Sequence, residues 1–172
     1  MQTPKKNSFF FSQMGGQPSK PQPRQTLDYE RYSGTWYEIA KFPFAWEQKC
    51  PHATAHYSFE KNVLQVRNDC LDENKNVVYS RFAEARPVTP GSSHLRIQFK
   101  GLPNDGEGDY WVEATDYEYA IVGNREKSLL WILYRKPHMT SCFFEKVVHL
   151  AAALGYNTTK IKTNQGAIMK CK

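Results

Sequence analysis

The chain has 172 residues, which is enough for one hydrophobic core and short for two. Its formal net charge of +6 would permit an anionic partner such as nucleic acid or a membrane surface, but much of the basic charge lies near the two ends of the chain. No run of residues approaches the roughly 20 apolar positions of a membrane-spanning helix, so no such helix is predicted.

The first 27 residues are predicted to form a disordered, basic and Pro-rich tail, because they are rich in Pro, Gln, Ser and Gly. Their apolar cluster at residues 9–11 is shorter than the core of a secretion signal, which takes about 7–15 residues. No signal peptide is therefore evident. We expect residues 28–165 to form the folded domain and residues 166–172 to form a C-terminal tail.

Strand-like segments follow one another along the next part of the chain. In the first, residues 34–42, Trp36, Glu38, Ala40 and Phe42 share one face. The residues between the second and third segments are typical of a tight hairpin that pairs Glu60 with Val63. With these, the predicted strands lie at residues 34–42, 53–59, 63–68, 76–85, 94–100, 109–115, 119–124 and 128–135.

One helix is predicted after the last strand. Pro137 precedes it, Thr140 or Ser141 is its expected N-cap, and Gly155 is expected to end it. Apolar residues recur between these limits at helical spacing: Phe144, Val147, Val148, Ala151 and Leu154.

These elements predict an all-β fold. A two-sheet sandwich is one arrangement of eight antiparallel strands, but a closed barrel is more economical because it leaves no strand edge unpaired. We therefore predict an eight-stranded up-and-down antiparallel barrel with the C-terminal α-helix packed outside. An eight-stranded barrel has an interior that side chains can fill or that can hold one small ligand.

Three short motifs resemble the signature regions of the lipocalins. They stand at the start of the first strand, in the turn between the sixth and seventh strands, and at the end of the eighth. Their residues are Gly34, Trp36, Thr115, Asp116, Tyr117 and Arg135. The resemblance covers roughly residues 28–165 and is closest to the bacterial lipocalin and apolipoprotein D group. It implies a barrel that binds a small hydrophobic ligand.

The signature residues are expected to meet at one rim of the barrel, because strand direction brings all three motifs to the same end. Arg135 could then lie across the indole of Trp36, and Thr115 and Asp116 could bond the backbone or Arg135. Gly34 would let the chain turn in beneath the indole. We interpret this group as structural and not catalytic.

A ligand would enter at the opposite rim, near residues 42–52 and 101–108. The small residues Ala53 and Ala55 beside large aromatic side chains favour a cavity over a solid core. Phe42, Phe44 and Trp46 could pack on the barrel, gate its mouth or contact a membrane. The predicted ligand-binding residues are Tyr57, Leu95, Ile97, Phe99, Tyr110, Trp131 and Leu133.

No catalytic residue, metal site or cofactor is predicted. The five histidines show no metalloprotease spacing, and the four cysteines are not spaced as zinc ligands. Glu38 could face inward, where it would need a partner such as an Arg or a Tyr hydroxyl, or it could bind the polar head of a ligand.

The leading hypothesis is binding and transport or storage of a small hydrophobic ligand, such as a fatty acid or lysophospholipid. The resemblance implies that this activity could serve membrane maintenance. A lipid-modifying enzyme, an isomerase or hydrolase on the same barrel, is the alternative. We expect a monomer or weak dimer that makes at most peripheral membrane contact. Nucleic acid is not an expected partner, because the aromatic residues follow the inward face or the motifs.

The cysteines indicate a disulfide. The predicted hairpin places Cys70 opposite residue 53, close to Cys50 at the open rim. Bacterial lipocalins similar to this chain often have cysteines at these two places, whereas apolipoprotein D-like members tie the first of them to a C-terminal cysteine, here Cys171. Both pairings, and four free thiols, remain open. A disulfide would indicate an oxidising compartment, secreted or periplasmic.

Overall fold

The computed structural model describes residues 26–43, 50–101 and 106–171. The predicted N-terminal tail up to residue 25, the rim residues Phe44 and Trp46, and residues 102–105 lie outside the described residues.

The described residues form the predicted closed barrel. Each strand pairs antiparallel with the next along the chain, and the eighth pairs with the first. The strands are β1 (Gly34–Lys41), β2 (His52–Glu60), β3 (Val63–Leu71), β4 (Val77–Pro87), β5 (His94–Phe99), β6 (Glu107–Thr115), β7 (Tyr119–Gly123) and β8 (Leu130–Tyr134). The rim where β1 begins is called the closed end below, and the opposite rim, where β2 begins, is called the open end.

The hairpin between β2 and β3 has the predicted register. Glu60 lies opposite Val63, and Ala53 lies opposite Cys70. Lys61 and Asn62 between the strands have φ values of 51° and 62°. Two consecutive positive φ angles are typical of the two-residue turn whose twist matches that of the flanking strands.

A short helix that the sequence pattern does not reveal covers the closed end. This helix, α1 (Tyr29–Tyr32), begins after Asp28, whose carboxylate accepts a hydrogen bond from the backbone N–H of Arg31. Its residues Tyr29 and Tyr32 are buried, and the ring of Tyr29 stacks on Phe59 near the end of β2. Four residues are too few to show helical periodicity.

The predicted helix is present as α2 (Ser141–Ala153), packed outside the barrel. Thr140 is its N-cap, although its side chain makes no capping hydrogen bond, and Gly155 follows the C-cap with a φ of 94°. Val147 and Ala151 are buried against an apolar cluster on the outer face of β1, β7 and β8. Neither described helix is both long and apolar enough to cross a membrane.

The alternation predicted for the first strand holds only over its first half. The pairing of β1 with β8 shifts between Glu38 and Ala40, which marks a β-bulge. As a result, Ala40 and Phe42 pack with Ile39 in the cluster beneath α2 and do not share the face of Trp36. That part of the prediction is wrong, because a bulge is invisible where most residues on both faces are apolar.

The C-terminal segment packs back onto the barrel. After a 3-10 turn at Thr158–Lys160, β10 (Lys162–Thr163) pairs with β1, and β11 (Ile168–Met169) pairs parallel with β9 (Met139–Thr140). We call residues 161–171 the C-terminal strap. It includes all but the last residue of the expected C-terminal tail, and a disulfide between Cys171 and Cys142 fastens it to α2.

Candidate functional site

Arg135 and Trp36 form the centre of the closed end. The guanidinium carbon of Arg135 lies 3.8 Å from the centroid of the Trp36 ring, and Trp36 is fully buried. Arg135 also donates hydrogen bonds of 3.0, 3.0 and 2.6 Å to the backbone carbonyls of Tyr117, Thr35 and Arg31, respectively. The indole N–H donates to the carbonyl of Tyr32 at 2.8 Å. The arrangement ties three chain segments together and has no reactive group.

Thr115 and Asp116 stabilise their own turn instead of Arg135. The Thr115 hydroxyl accepts from the N–H of Tyr117 and donates to the carbonyl of Tyr119. Asp116 Oδ1 accepts from the N–H groups of Glu118 and Tyr119 at 2.9 and 3.0 Å. This turn presents the Tyr117 carbonyl to Arg135, so Thr115 and Asp116 stabilise the closed end indirectly.

Two features favour glycine at position 34: the backbone conformation there and the closeness of the Arg135 side chain. Its φ is 96°, in the region that favours glycine. A Cβ atom at this position would lie 3.3 Å from Nη1 of Arg135. A larger residue would therefore strain the chain and crowd the guanidinium.

A cavity of about 620 Å³ occupies the barrel between the closed end and the open end. Most of the predicted ligand-binding residues line it, namely Tyr57, Ile97, Phe99, Tyr110, Trp131 and Leu133, together with the small residues Ala53 and Ala55. Leu95 faces inward but does not line the cavity. It is fully buried in the core near the closed end, where it lies opposite Pro87 of β4 and Tyr110 of β6.

Three tyrosines join their hydroxyls at the floor of the cavity. The Tyr32 and Tyr110 oxygens are 2.8 Å apart, and the Tyr110 hydroxyl donates to Tyr57 at 2.9 Å. Burial raises the pKa of Tyr57 to about 12 and holds the pKa values of Tyr32 and Tyr110 well above their ordinary value. The hydroxyls are therefore neutral hydrogen-bonding groups. Sequence reasoning missed Tyr32 because it lies in α1, before the first strand.

Glu38 faces the cavity, and its partners differ from those that the sequence suggests. Its carboxylate oxygen Oε1 lies 2.9 Å from the ammonium nitrogen of Lys41 and 3.1 Å from the side-chain amide nitrogen of Asn164. That amide also donates to the Glu38 backbone carbonyl at 2.8 Å. The partners are thus a lysine beyond the bulge and an asparagine in the strap, not an arginine or a tyrosine. No sequence signal pointed to Asn164.

Both disulfides lie away from the cavity floor. Cys50 is bonded to Cys70 at the open end, with Cα atoms 5.3 Å apart, and Cys142 is bonded to Cys171. The structure therefore has the first of the two expected pairings for Cys50 and not the pairing with Cys171. Over the described ranges there is no group of three or more His, Cys, Asp or Glu residues that could hold a metal ion.

A family model described as a lipocalin-like domain matches residues 27–166, most of the chain. The chain belongs to the lipocalin family. The expected resemblance is confirmed, and members of this family generally bind small hydrophobic ligands.

Curated relatives of this lipocalin come from plants, bacteria and animals. Temperature-induced lipocalin-1 of Arabidopsis thaliana is 32% identical over 81% of this chain and 80% of its own. Outer membrane lipoprotein Blc of Escherichia coli (strain K12) is 31% identical over 78% of this chain and 76% of its own. Apolipoprotein D of Mus musculus is 30% identical over 90% of this chain and 84% of its own.

Solved structures share the fold. Insecticyanin from the tobacco hornworm Manduca sexta superposes on this lipocalin with a TM-score of 0.61, covering 90% of this chain and 93% of its own. The two sequences are 20% identical, so this likeness concerns the barrel and not its ligand.

Proposed function

We propose that this lipocalin binds, and carries or stores, one small hydrophobic ligand inside its barrel, with fatty acids and lysophospholipids as the first candidates. The observation that carries the proposal is the cavity of about 620 Å³. Its volume lies within the range of about 300–1,000 Å³ found for small-molecule sites. Its lining combines aromatic and aliphatic side chains such as Tyr57, Trp131 and Leu133 with polar and charged residues, which include Glu38, Asn68, Arg81 and Asn124.

The hydrophobic effect is large enough for useful affinity. Each buried methylene contributes about 0.8 kcal/mol, so about sixteen of them contribute about 13 kcal/mol. The smaller estimates of the cost of association are about 4 kcal/mol. The difference corresponds to micromolar or tighter binding without any polar contact.

We further propose that the protein works in an oxidising compartment, secreted or periplasmic, and contacts membranes only peripherally. Two disulfides support the compartment, because such bonds persist where thiols are not kept reduced. The relative named outer membrane lipoprotein Blc supports a role near membranes, which could be membrane maintenance. Val77 and Val78, which are 55% and 63% exposed at the open end, are apolar groups that could touch a lipid surface.

Trp131 provides a direct test, because its indole lines the cavity. Titration with a fatty acid or a lysophospholipid should change the tryptophan emission saturably. The change should disappear in Trp131→Phe, although native mass spectrometry should still detect the bound lipid. Trp111→Phe is the matched control, because Trp111 alternates with the inward-facing Tyr110 and Val112 and its ring packs at a tilt against His94 outside the barrel.

Lipid extraction of the purified protein followed by mass spectrometry would identify a ligand acquired in the cell. If no amphiphile changes the emission and the protein carries no lipid, the proposal of a carrier fails. Turnover of a lipid ester by the purified protein would favour the enzyme alternative.

A further inference from the structure

Glu38 places a negative charge in the wall of the cavity, whose lining combines apolar side chains with the charged residues Arg81, Arg96, Glu107, Asp109 and Glu126. The Glu38 side chain is only 6% exposed. Among the described residues, its carboxylate makes polar contacts with Lys41 and Asn164, and it makes both through Oε1. No described residue donates a hydrogen bond to Oε2, and the residue lines the cavity. One carboxylate oxygen is therefore available to a molecule inside the barrel.

The position of this oxygen is fixed from outside the barrel. Asn164 holds Glu38 at two atoms, the backbone carbonyl and Oε1. The backbone N–H of Asn164 also donates to the carbonyl of Ile39 at 2.9 Å, within the bulge of β1. The strap that carries Asn164 is anchored by β10 on one side and by the disulfide of Cys171 on the other. The carboxylate is thus preorganised, which lowers the cost of using it in recognition.

A hydrogen bond to a charged acceptor is stronger than one to a neutral acceptor, so a ligand that donates to Oε2 gains more than one that does not. A ligand carboxylate at the same place would meet a like charge in a medium of low dielectric constant. A ligand ammonium is not required, because Lys41 already balances the charge of Glu38. A neutral hydroxyl group meets all of these conditions.

We propose that Glu38 selects ligands that carry a hydroxyl group on the end that enters the barrel. This inference rests on the proposed carrier function and narrows its ligand class to hydroxyl-bearing amphiphiles such as long-chain alcohols. A fatty acid then binds with its carboxylate at the open end, away from Glu38. Asn164 is a positioning residue, which acts on the ligand through Glu38.

The test compares three probes with the same hydrocarbon chain: dodecanol, dodecanoate and dodecyl methyl ether. Their affinities for the full chain are measured by Trp131 emission. Dodecanol should bind about tenfold more tightly than the ether, as expected for a hydrogen bond to a charged group. In Glu38→Gln this preference should vanish, and dodecanoate should gain affinity, because the charge is removed and the new amide can donate.

Glu84→Gln is the matched control. Glu84 is also a barrel carboxylate paired with a lysine, with Oε1 3.3 Å from Lys100 Nζ, but it alternates with the inward-facing Ala83 and Ala85 on β4. Its substitution should leave the ranking of the probes unchanged. If Glu38→Gln does not fold, Asn164→Ala tests the same point, because it keeps the charge and removes the donor that fixes it. We expect it to reduce the preference for dodecanol.

The outcomes separate the two proposals. If none of the probes binds the wild-type protein, the carrier function itself fails. If all three bind with equal affinity, or if the preference for dodecanol survives in Glu38→Gln or, where that variant does not fold, in Asn164→Ala, selection by Glu38 is overturned while the carrier function stands.

Discussion

The guanidinium carbon of Arg135 lies 3.8 Å from the ring centroid of Trp36, and the same guanidinium donates to three backbone carbonyls from separate segments. One side chain therefore covers the indole and joins α1, the start of β1 and the turn before β7.

Replacing Trp36 with Ala should lower the free energy of unfolding by about 3–5 kcal/mol, as large-to-small core substitutions do. Arg135→Ala should cost less, because solvent can reach the carbonyls that it leaves. Since the two side chains touch, their effects should not be additive in a double-mutant cycle measured by urea unfolding. Arg125→Ala, at an exposed arginine, should change stability by less than about 0.5 kcal/mol. Additive effects of the two substitutions would argue against the stacking interaction.

Peptide mapping without reduction should recover Cys50 linked to Cys70 and Cys142 linked to Cys171, as in the structure. The same digest after reduction identifies the four separate peptides and serves as the control. A peptide that links Cys50 to Cys171 would contradict this arrangement and would match the apolipoprotein D-like pattern.

The buried Glu113 forms an ion pair with the partly buried Lys127, and its Oε1 also accepts a hydrogen bond of 3.2 Å from the Tyr156 hydroxyl. Lys127→Met should destabilise the fold by about 3–5 kcal/mol, because it leaves a buried charge without its partner. Combining it with Glu113→Gln should restore much of the loss, since the charge is removed as well. Thermal unfolding of both variants would measure this. A double variant no more stable than Lys127→Met would refute the ion-pair account.

Alkaline pH should weaken the tyrosine cluster in a defined range. Burial raises the pKa of Tyr57 from 10.0 to about 12, so the neutral hydroxyl is favoured by the folded state. A raised pKa contributes stability that is complete below pH 10 and is lost as the pH rises towards 12. Stability measured by urea unfolding should therefore fall in this range, and the slope should be shallower in Tyr57→Phe. An unchanged slope in that variant would contradict the assignment.

Much of the barrel follows from local patterns in the sequence. The pairing of Glu60 with Val63 depends on a two-residue turn, so it can be read from neighbouring residues. The contact of Trp36 with Arg135 follows from strand direction once the strands are counted. The alternation of β5 places Ile97 and Phe99 in the cavity wall, but it cannot tell that Leu95 on the same face is covered by the core, because that depends on packing between distant residues.

The features that the sequence did not reveal depend on contacts between residues that are far apart in the sequence. Asn164 and Glu38 are separated by 126 residues, and neither belongs to a periodic pattern that would pair them. The bulge that redirects Ala40 lies in a run where most residues are apolar, so no change in polarity marks it. Tyr32 supports the lining residue Tyr110 through a hydrogen bond, and it lies in a helix of four residues, which is too short to be recognised by its spacing.

The pairing of β10 with β1 has a consequence for self-association. β2 pairs with residues 34–37 of β1, whereas Ala40 and Lys41 pair with β8 on one side and with β10 on the other. β10 in the strap thus pairs with backbone donors and acceptors of β1 that lie beyond the part of β1 paired with β2. Exposed backbone of this kind is a template for a strand from another molecule. A protein that lacks residues 162–172 should therefore form oligomers by strand addition at β1, even though its barrel remains closed.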